Sequence, residues 1–160
     1  MLLLKSDLYK IAKARLKNDD DIYDAIQETM IVAFNSIKKL RQTDSFKAWI
    51  IKILINKSNS LYKKKSKKKI IPLEEIENYN YSNNDLSGIE ETLDFEFICK
   101  NLNYNDRMIM ILYYIEKYTD KEISKILNLK ENTVKTKRVR AKQKIKNILK
   151  LGGKDDGWIW

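Results

Sequence analysis

The side chains best suited to chemistry lie between Thr119 and Lys150, in TDKEISKILNLKENTVKTKRVRAKQKIKNILK. Lys135, Lys137, Arg138, Arg140, Lys142, Lys144 and Lys146 crowd into one stretch. Cations at that density suit the phosphates and base edges of nucleic acid. The segment that must position them reads as a short helix, a tight turn and a longer helix. Thr119 can cap the first helix while Glu122, three residues on, reaches back to close a capping box. Ile123, Ile126 and Leu127 recur at helical spacing, and Asn128, which tolerates left-handed backbone angles, ends the helix. Val134, Ala141, Ile145 and Ile148 give the second helix an inner face. A helix-turn-helix places such a second helix in the DNA major groove, its N-terminal residues at base edges. A solvated basic helix in a bundle is the plainer alternative. Cap, turn and one-sided charge occurring together favour DNA.

Composition narrows the class. The 160 residues are 43% hydrophobic, which predicts a folded chain. Four Gly and one Pro suit long helices better than a sheet rich in tight turns. A net charge of +10 points to a polyanionic partner. With no His and Cys99 as the one thiol, His-based catalysis, His/Cys zinc sites and an internal disulfide are excluded. Cys99 lies among apolar residues and reads as packing. No apolar run approaches the ~18 residues of a membrane span, and MLLLK is too short for a signal-peptide core. The expectation is a cytoplasmic chain without stable membrane insertion.

Charge is laid out in blocks. Residues 1–72 carry 17 Lys/Arg against 7 Asp/Glu, residues 73–106 carry 1 against 9, and residues 107–150 carry 13 against 4. Between the basic blocks, KKKSKKK runs into an Asn-, Ser- and acid-rich stretch with the composition of a flexible linker. The fold class expected is all-α: two small helical domains joined by that linker, the second a helix-turn-helix. The boundaries read as 1–66, a linker over 67–88, 89–150, and a tail over 151–160. Leu8, Ile11, Ala12, Arg15 and Leu16 suggest an opening helix ending near Asn18, after which Asp19, Asp20 and Asp21 offer caps. Ile22, Ala25, Ile26, Thr29, Met30, Ala33, Phe34 and Ile37 form the apolar stripe of a second helix, with Asp24, Gln27, Glu28 and Asn35 off it. A third starts at Ser45 with Phe46, Trp49, Ile50, Ile53 and Leu54 inward. The second block opens with Ile89, Leu93, Phe97 and Ile98, then a helix from Asn105 with Met108, Ile109, Ile111 and Leu112.

Three passages carry a resemblance. KNDDDIYDAIQET (17–29) is similar to N-x-x-D-A-E-D-V-V-Q-E-T, FKAWIIKILIN (46–56) to F-x-x-W-L-x-x-I-A-x-N, and EISKILNLKENTVKTKRVRA (122–141) to E-I-A-x-x-L-G-x-S-x-G-T-V-K-S-R-L-x-R-A. In this order they resemble regions two and four of bacterial RNA polymerase sigma factors of the extracytoplasmic-function type. The third passage alone is shared by many regulators; the two upstream passages make the likeness specific.

The resemblance implies a non-enzymatic factor without cofactors or metals, whose partners are core RNA polymerase and promoter DNA. An anti-sigma protein is a further partner that the sequence leaves open. Asp24, Gln27 and Glu28 take the positions that grip a coiled coil on core polymerase, and acceptors one turn apart suit a basic partner helix. Leu40, Arg41, Gln42, Thr43, Asp44 and Ser45 take the place of the loop that captures an unstacked base of the −10 element. Lys52 and Asn56 fall at the melting junction, where an amide can pair a base edge. Trp49 matches a core position and reads as packing. Lys130, Asn132, Thr133, Lys135, Thr136, Val139, Arg140 and Lys142 fall against the −35 element. Lys and Arg serve phosphates or guanine edges, Asn and Thr serve adenine edges or phosphates, and Val139 suits a thymine methyl. Lys121 and Glu122 qualify for backbone positioning only.

Departures from the pattern are specific. Both motif glycines are Asn (Asn128 and Asn132), Lys130 replaces a Ser cap, and Arg138 occupies a leucine position, so that only its stem is expected to cover the core. The tail GGKDDGWIW has no counterpart and reads as a mobile terminus. Two rivals remain: a helix-turn-helix regulator acting without polymerase, and a nucleic-acid enzyme. Asp19, Asp20, Asp21 and Asp24 tempt a metal reading for the latter, but consecutive Asp residues at a helix start are more often caps.

Overall fold

The computed structural model describes residues 2–39, 46–68 and 100–151. Most of those residues are helical, with no strand among them. The helices are α1 (Leu2–Lys13), α2 (Asp19–Ser36, followed by a 3-10 turn, Ile37–Lys39), α3 (Phe46–Lys68), α4 (Tyr104–Met110, continued by a π-helical segment, Ile111–Ile115), α5 (Asp120–Leu127) and α6 (Glu131–Leu151). Helices α1–α3 form one compact unit and α4–α6 a second. The expected linker lies outside the described residues except for Lys67 and Lys68, which continue α3. So do Cys99, the apolar opening from Ile89 to Ile98, and the tail beyond Leu151.

In the first unit, contacts between charged side chains and their partners show the helix directions. Lys47 pairs with Asp7 at 2.6 Å and the Arg15 guanidinium lies 3.6 Å from the Tyr62 ring, so α1 and α3 run the same way. Lys57 pairs with Glu28 at 3.0 Å and Lys65 with Asp21, so α2 runs against α3. The core is Leu8, Ile11 and Ala12 from α1, Ile22, Ala25 and Ala33 from α2, and Ile50, Ile51, Leu54 and Ile55 from α3. Burial of this kind is worth about 1.5–3 kcal/mol per large side chain.

Several local expectations are corrected here. Helix α1 stops at Lys13 rather than near Asn18. Amide bonds from Ala14 to the Lys10 carbonyl and from Leu16 to the Ala12 carbonyl then fold Leu16 into the core. The cap of α2 is Asn18, whose side-chain oxygen accepts from the Asp20 amide at 2.8 Å. The aspartates find other work. Asp19 accepts from the Tyr9 hydroxyl at 3.0 Å, and burial, then that bond, pushes the Tyr9 phenol up to about 12. Asp21 is buried and held by Lys65. Among the described residues no acidic group is clustered as a metal site.

The faces of α2 and α3 also differ from expectation. Only Ile22, Ala25, Thr29 and Ala33 of the expected α2 stripe are buried; Met30, Phe34 and Ile37 are exposed. Small residues at Ala25, Thr29 and Ala33 seat α2 on its neighbours along a narrow line, and the larger side chains fall to one side of it. Thr29 satisfies its buried hydroxyl by donating to the Ala25 carbonyl at 2.7 Å. In α3 the buried face runs through Ile50, Ile51, Leu54, Ile55 and Ser58, leaving Phe46, Trp49 and Ile53 half-buried.

The second unit is built around α4. Arg107 through Leu112 are all buried, which an amphipathic stripe cannot produce and a central helix covered on every side can. Asn103 caps α4 by accepting from the Asp106 amide at 3.0 Å, so the helix starts at Tyr104, one residue ahead of the expected Asn105. The π-helical segment closes with the Glu116 amide donating to the Ile111 carbonyl at 3.0 Å, and Lys117 turns the chain at φ 61°.

Candidate nucleic-acid interface

Helix α6 is set by the turn that precedes it. Thr119 accepts from the Glu122 amide at 3.3 Å, while the Glu122 carboxylate accepts from the Thr119 amide at 2.8 Å and its hydroxyl at 2.7 Å. The expected capping box is therefore formed, a feature worth about 1 kcal/mol. Those bonds, the hydroxyl's first, hold the Glu122 carboxyl below the usual carboxylate range. Asn128 ends α5 at φ 55°, ψ 48°, the left-handed geometry that Asn reaches at low cost. The Lys130 carbonyl then accepts from the Thr133 and Val134 amides to start α6.

Helix α6 buries Val134, Ala141 and Ile145, and on another side exposes Asn132, Thr136, Val139 and Gln143. Spacings of four, three and four residues put this last group in one row. Lys135 and Arg140 flank the row, exposed; Lys130 stands exposed just before the helix, and Thr133 is half-buried. The Thr136 hydroxyl donates to the Asn132 carbonyl at 2.8 Å, which leaves its lone pairs as acceptors. Val139 is 54% exposed, an apolar contact suited to a thymine methyl. Gln143 was not legible as a candidate, because the motif ends before it; its side-chain amide donates to Asn147 at 2.8 Å.

Three of the α6 cations engage the unit's own side chains. Lys137 reaches Asp106 at 3.4 Å, and half-buried Lys142 sits 5.9 Å from the Tyr114 ring centroid. Arg138 differs most from expectation. Its Nε and Nη2 donate to the two Asp120 carboxylate oxygens, each at 2.8 Å, and its guanidinium lies 4.0 Å from the centroid of the Tyr113 ring. A leucine position has thus become a charged one with a bidentate partner. The Arg138 bond holds the Asp120 carboxyl below its ordinary range, and Asp120 in turn raises the guanidinium further. Lys135, Arg140, Lys144 and Lys146 remain exposed for an external anion.

In the first unit, Lys52 and Asn56 are exposed one turn apart on α3. Lys63 and Lys67, exposed two and three turns beyond Asn56, continue that side toward the helix end. Lys65, turned the other way, is taken by Asp21. Half-buried Trp49 packs on Phe46 at 5.8 Å between ring centroids, on the margin of the same side. The expected base-capturing loop from Leu40 to Ser45 lies outside the described residues.

Helix α2 presents a different surface. Asp24, Gln27 and Glu28 are exposed, with Glu28 partly committed to Lys57. Beside them stand Tyr23, Met30, Ile31 and Phe34, all exposed. Charged acceptors next to a run of bare apolar side chains are the makings of a protein contact.

Comparison with known proteins agrees with this division. Residues 3–68 match sigma-70 region 2, and residues 100–145 match sigma-70 region 4. The RNA polymerase sigma factor SigV of Bacillus subtilis is 31% identical over 140 residues, covering 86% of this chain and 81% of the relative. The ECF RNA polymerase sigma-E factor of Haemophilus influenzae is 26% identical over 146 residues, covering 83% of this chain and 77% of the relative. The chain belongs to the extracytoplasmic-function family of RNA polymerase sigma factors. Its fold is that of solved sigma factors: RpoE of Bartonella quintana, crystallised with the anti-sigma factor NepR, superposes with a TM-score of 0.67 at 22% identity over 93% of each chain. CnrH, solved with the cytosolic domain of CnrY, gives 0.63 at 19% identity, over 92% of this sigma factor and 82% of that chain. Among the described residues no helix of the sigma factor is long and apolar enough to cross a membrane.

Proposed function

We propose that this sigma factor directs core RNA polymerase to specific promoters, its first unit holding the polymerase and the −10 element and its second reading the −35 element. The observation that carries the reading is α2. A monomer gains nothing by leaving Phe34 82% exposed beside Tyr23, Met30 and Ile31, with Asp24 and Gln27 on the adjoining side. A basic, partly apolar coiled coil on the polymerase would satisfy both halves of that face, the acceptors by charge and the strip by burial. An anti-sigma protein is a further partner, as it is for the solved relatives.

DNA is divided between the units. On α6, the row Asn132, Thr136 and Val139 reads base edges, with Lys130, Thr133, Lys135, Arg140 and Lys142 holding edges or phosphates around it. On α3, Lys52 and Asn56 meet the melting junction, assisted by the loop from Leu40 to Ser45, and Lys63 and Lys67 extend the phosphate contacts along the duplex. Chemistry belongs to the polymerase; this chain contributes binding free energy at two DNA sites. The domain division follows the same plan: residues 1–66 for region two, 67–88 as linker, 89–150 for region four and 151–160 as tail, with α3 carrying the first unit two residues into the linker.

The test is to purify the chain with core polymerase and assay promoter-dependent transcripts. A stable complex is expected, and Asp24→Ala with Gln27→Ala should weaken it by about tenfold while leaving the helical signal intact. Binding to polymerase no tighter than that of an unrelated protein of equal net charge overturns the reading. Tight operator binding without polymerase would then identify a regulator instead.

A further inference from the structure

We propose that Arg138, Asp120 and Tyr113 form a lock that fixes the angle of α6 against α5, and that base reading by α6 depends on this lock. The inference rests on the −35 reading of α6 and adds positioning residues to it. At the position where the family pattern has leucine, contact would be apolar and indifferent to small rotations. A guanidinium bonded through two parallel N–H groups to one carboxylate fixes distance and rotation together. The Tyr113 ring, 4.0 Å away, closes the remaining direction. Tyr113 belongs to the π-helical segment and Asp120 to the first turn of α5, so two separate pieces of chain meet on one side chain of α6.

The setting makes the lock directional rather than adhesive. The Arg138 and Asp120 side chains are 15% and 17% exposed, so neither charge is well hydrated if its partner is removed. Elsewhere α5 rests on Ile123 and Ile126, whose apolar contacts permit small slides. Arg138 lies in the same turn as Thr136 and Val139 of the exposed row. A rotation of about 10° moves a side-chain tip ~6 Å from the helix axis by about 1 Å, enough to spoil a hydrogen bond to a base edge.

The experiment selects duplexes from a library with a randomised window, using the full chain at low salt, and compares wild type with Arg138→Gln, Asp120→Asn and the double variant. Asp120→Asn keeps the packing volume and is the variant least able to unfold the unit. Folding is checked by helical circular dichroism and melting temperature. Wild type should enrich a motif. Each single variant should remain folded yet lose about tenfold in enrichment, the scale of one charge-assisted contact, and the double variant should lose no more than either single. The salt dependence of binding to the unselected pool should be unchanged. Three results overturn the lock. Unchanged enrichment by folded variants with a lower melting temperature would make the pair structural only. A salt slope smaller by about one for Arg138→Gln alone would make Arg138 a phosphate contact. A wild type that enriches no motif would remove the −35 reading and the lock with it.

Discussion

Asn56 lies exposed on α3, one turn past Lys52, and takes no part in the buried face formed by Ile50, Ile51, Leu54 and Ile55. Removing an exposed amide costs little stability, within about 0.5 kcal/mol. If the amide instead meets an extruded base, its hydrogen bonds offset an unstacking cost of a few kcal/mol. Asn56→Ala is therefore expected to leave folding, polymerase binding and closed-complex formation nearly unchanged while reducing open complex. Permanganate reactivity of thymines near −10 reads the difference, and a pre-melted bubble template should restore the variant. Failure of the bubble to restore it, or loss already at duplex binding, would remove Asn56 from melting.

Helices α2 and α6 solve opposite problems. Helix α6 buries a narrow apolar line, turns Lys137 and Arg138 onto its own unit, and leaves a polar row exposed. Helix α2 buries Ile22 and a line of small residues and leaves Tyr23, Ile31 and Phe34 largely outside. Largely solvated side chains contribute little to the fold by burial, so Phe34→Ser with Ile31→Ser should keep the melting temperature within a few degrees. The complex with core polymerase should weaken by about tenfold or more. Calorimetry on the free chain and a titration against polymerase separate the two effects. A large drop in melting temperature would show that these residues pack after all.

At the scale of the molecule, each unit has its own core: Leu8, Ile22 and Leu54 among others in the first, Met108, Leu112 and Ile123 in the second. Fragments 1–68 and 100–151 are each expected to unfold cooperatively on their own. The second should also be acid-sensitive in a defined direction. Asp120 and Glu122 both titrate below their ordinary ranges when folded, held by Arg138 and by Thr119. A lowered folded pKa means the stability is present above the unfolded value and is lost as pH falls through the folded one. Thermal melts of the 100–151 fragment should fall progressively below about pH 4, and Asp120→Asn with Glu122→Gln should flatten that part of the profile. An unchanged profile would show that neither carboxylate is paired in solution.

What the amino-acid order determined by itself is local. Thr119 and Glu122 are three residues apart and Asn128 acts within its own turn, so the capping box and the left-handed end of α5 follow from short-range chemistry that neighbours do not alter. The family motifs were legible for the same reason: their spacing is carried along one helix at a time. Periodicity says which residues share a face, but not how wide the buried line will be. It therefore assigned Met30, Phe34 and Ile37 to a core that closes on Ala25, Thr29 and Ala33, and missed Ile51 and Ile55. Arg138 marks the sharper limit. Its carboxylate partner lies 18 positions away and its ring partner on a third element, so only the packing of α4, α5 and α6 could turn a cation expected to cover the core with its stem alone into a bidentate internal contact. Charge is written in the sequence; whether it faces a phosphate or an aspartate is decided by which helices meet.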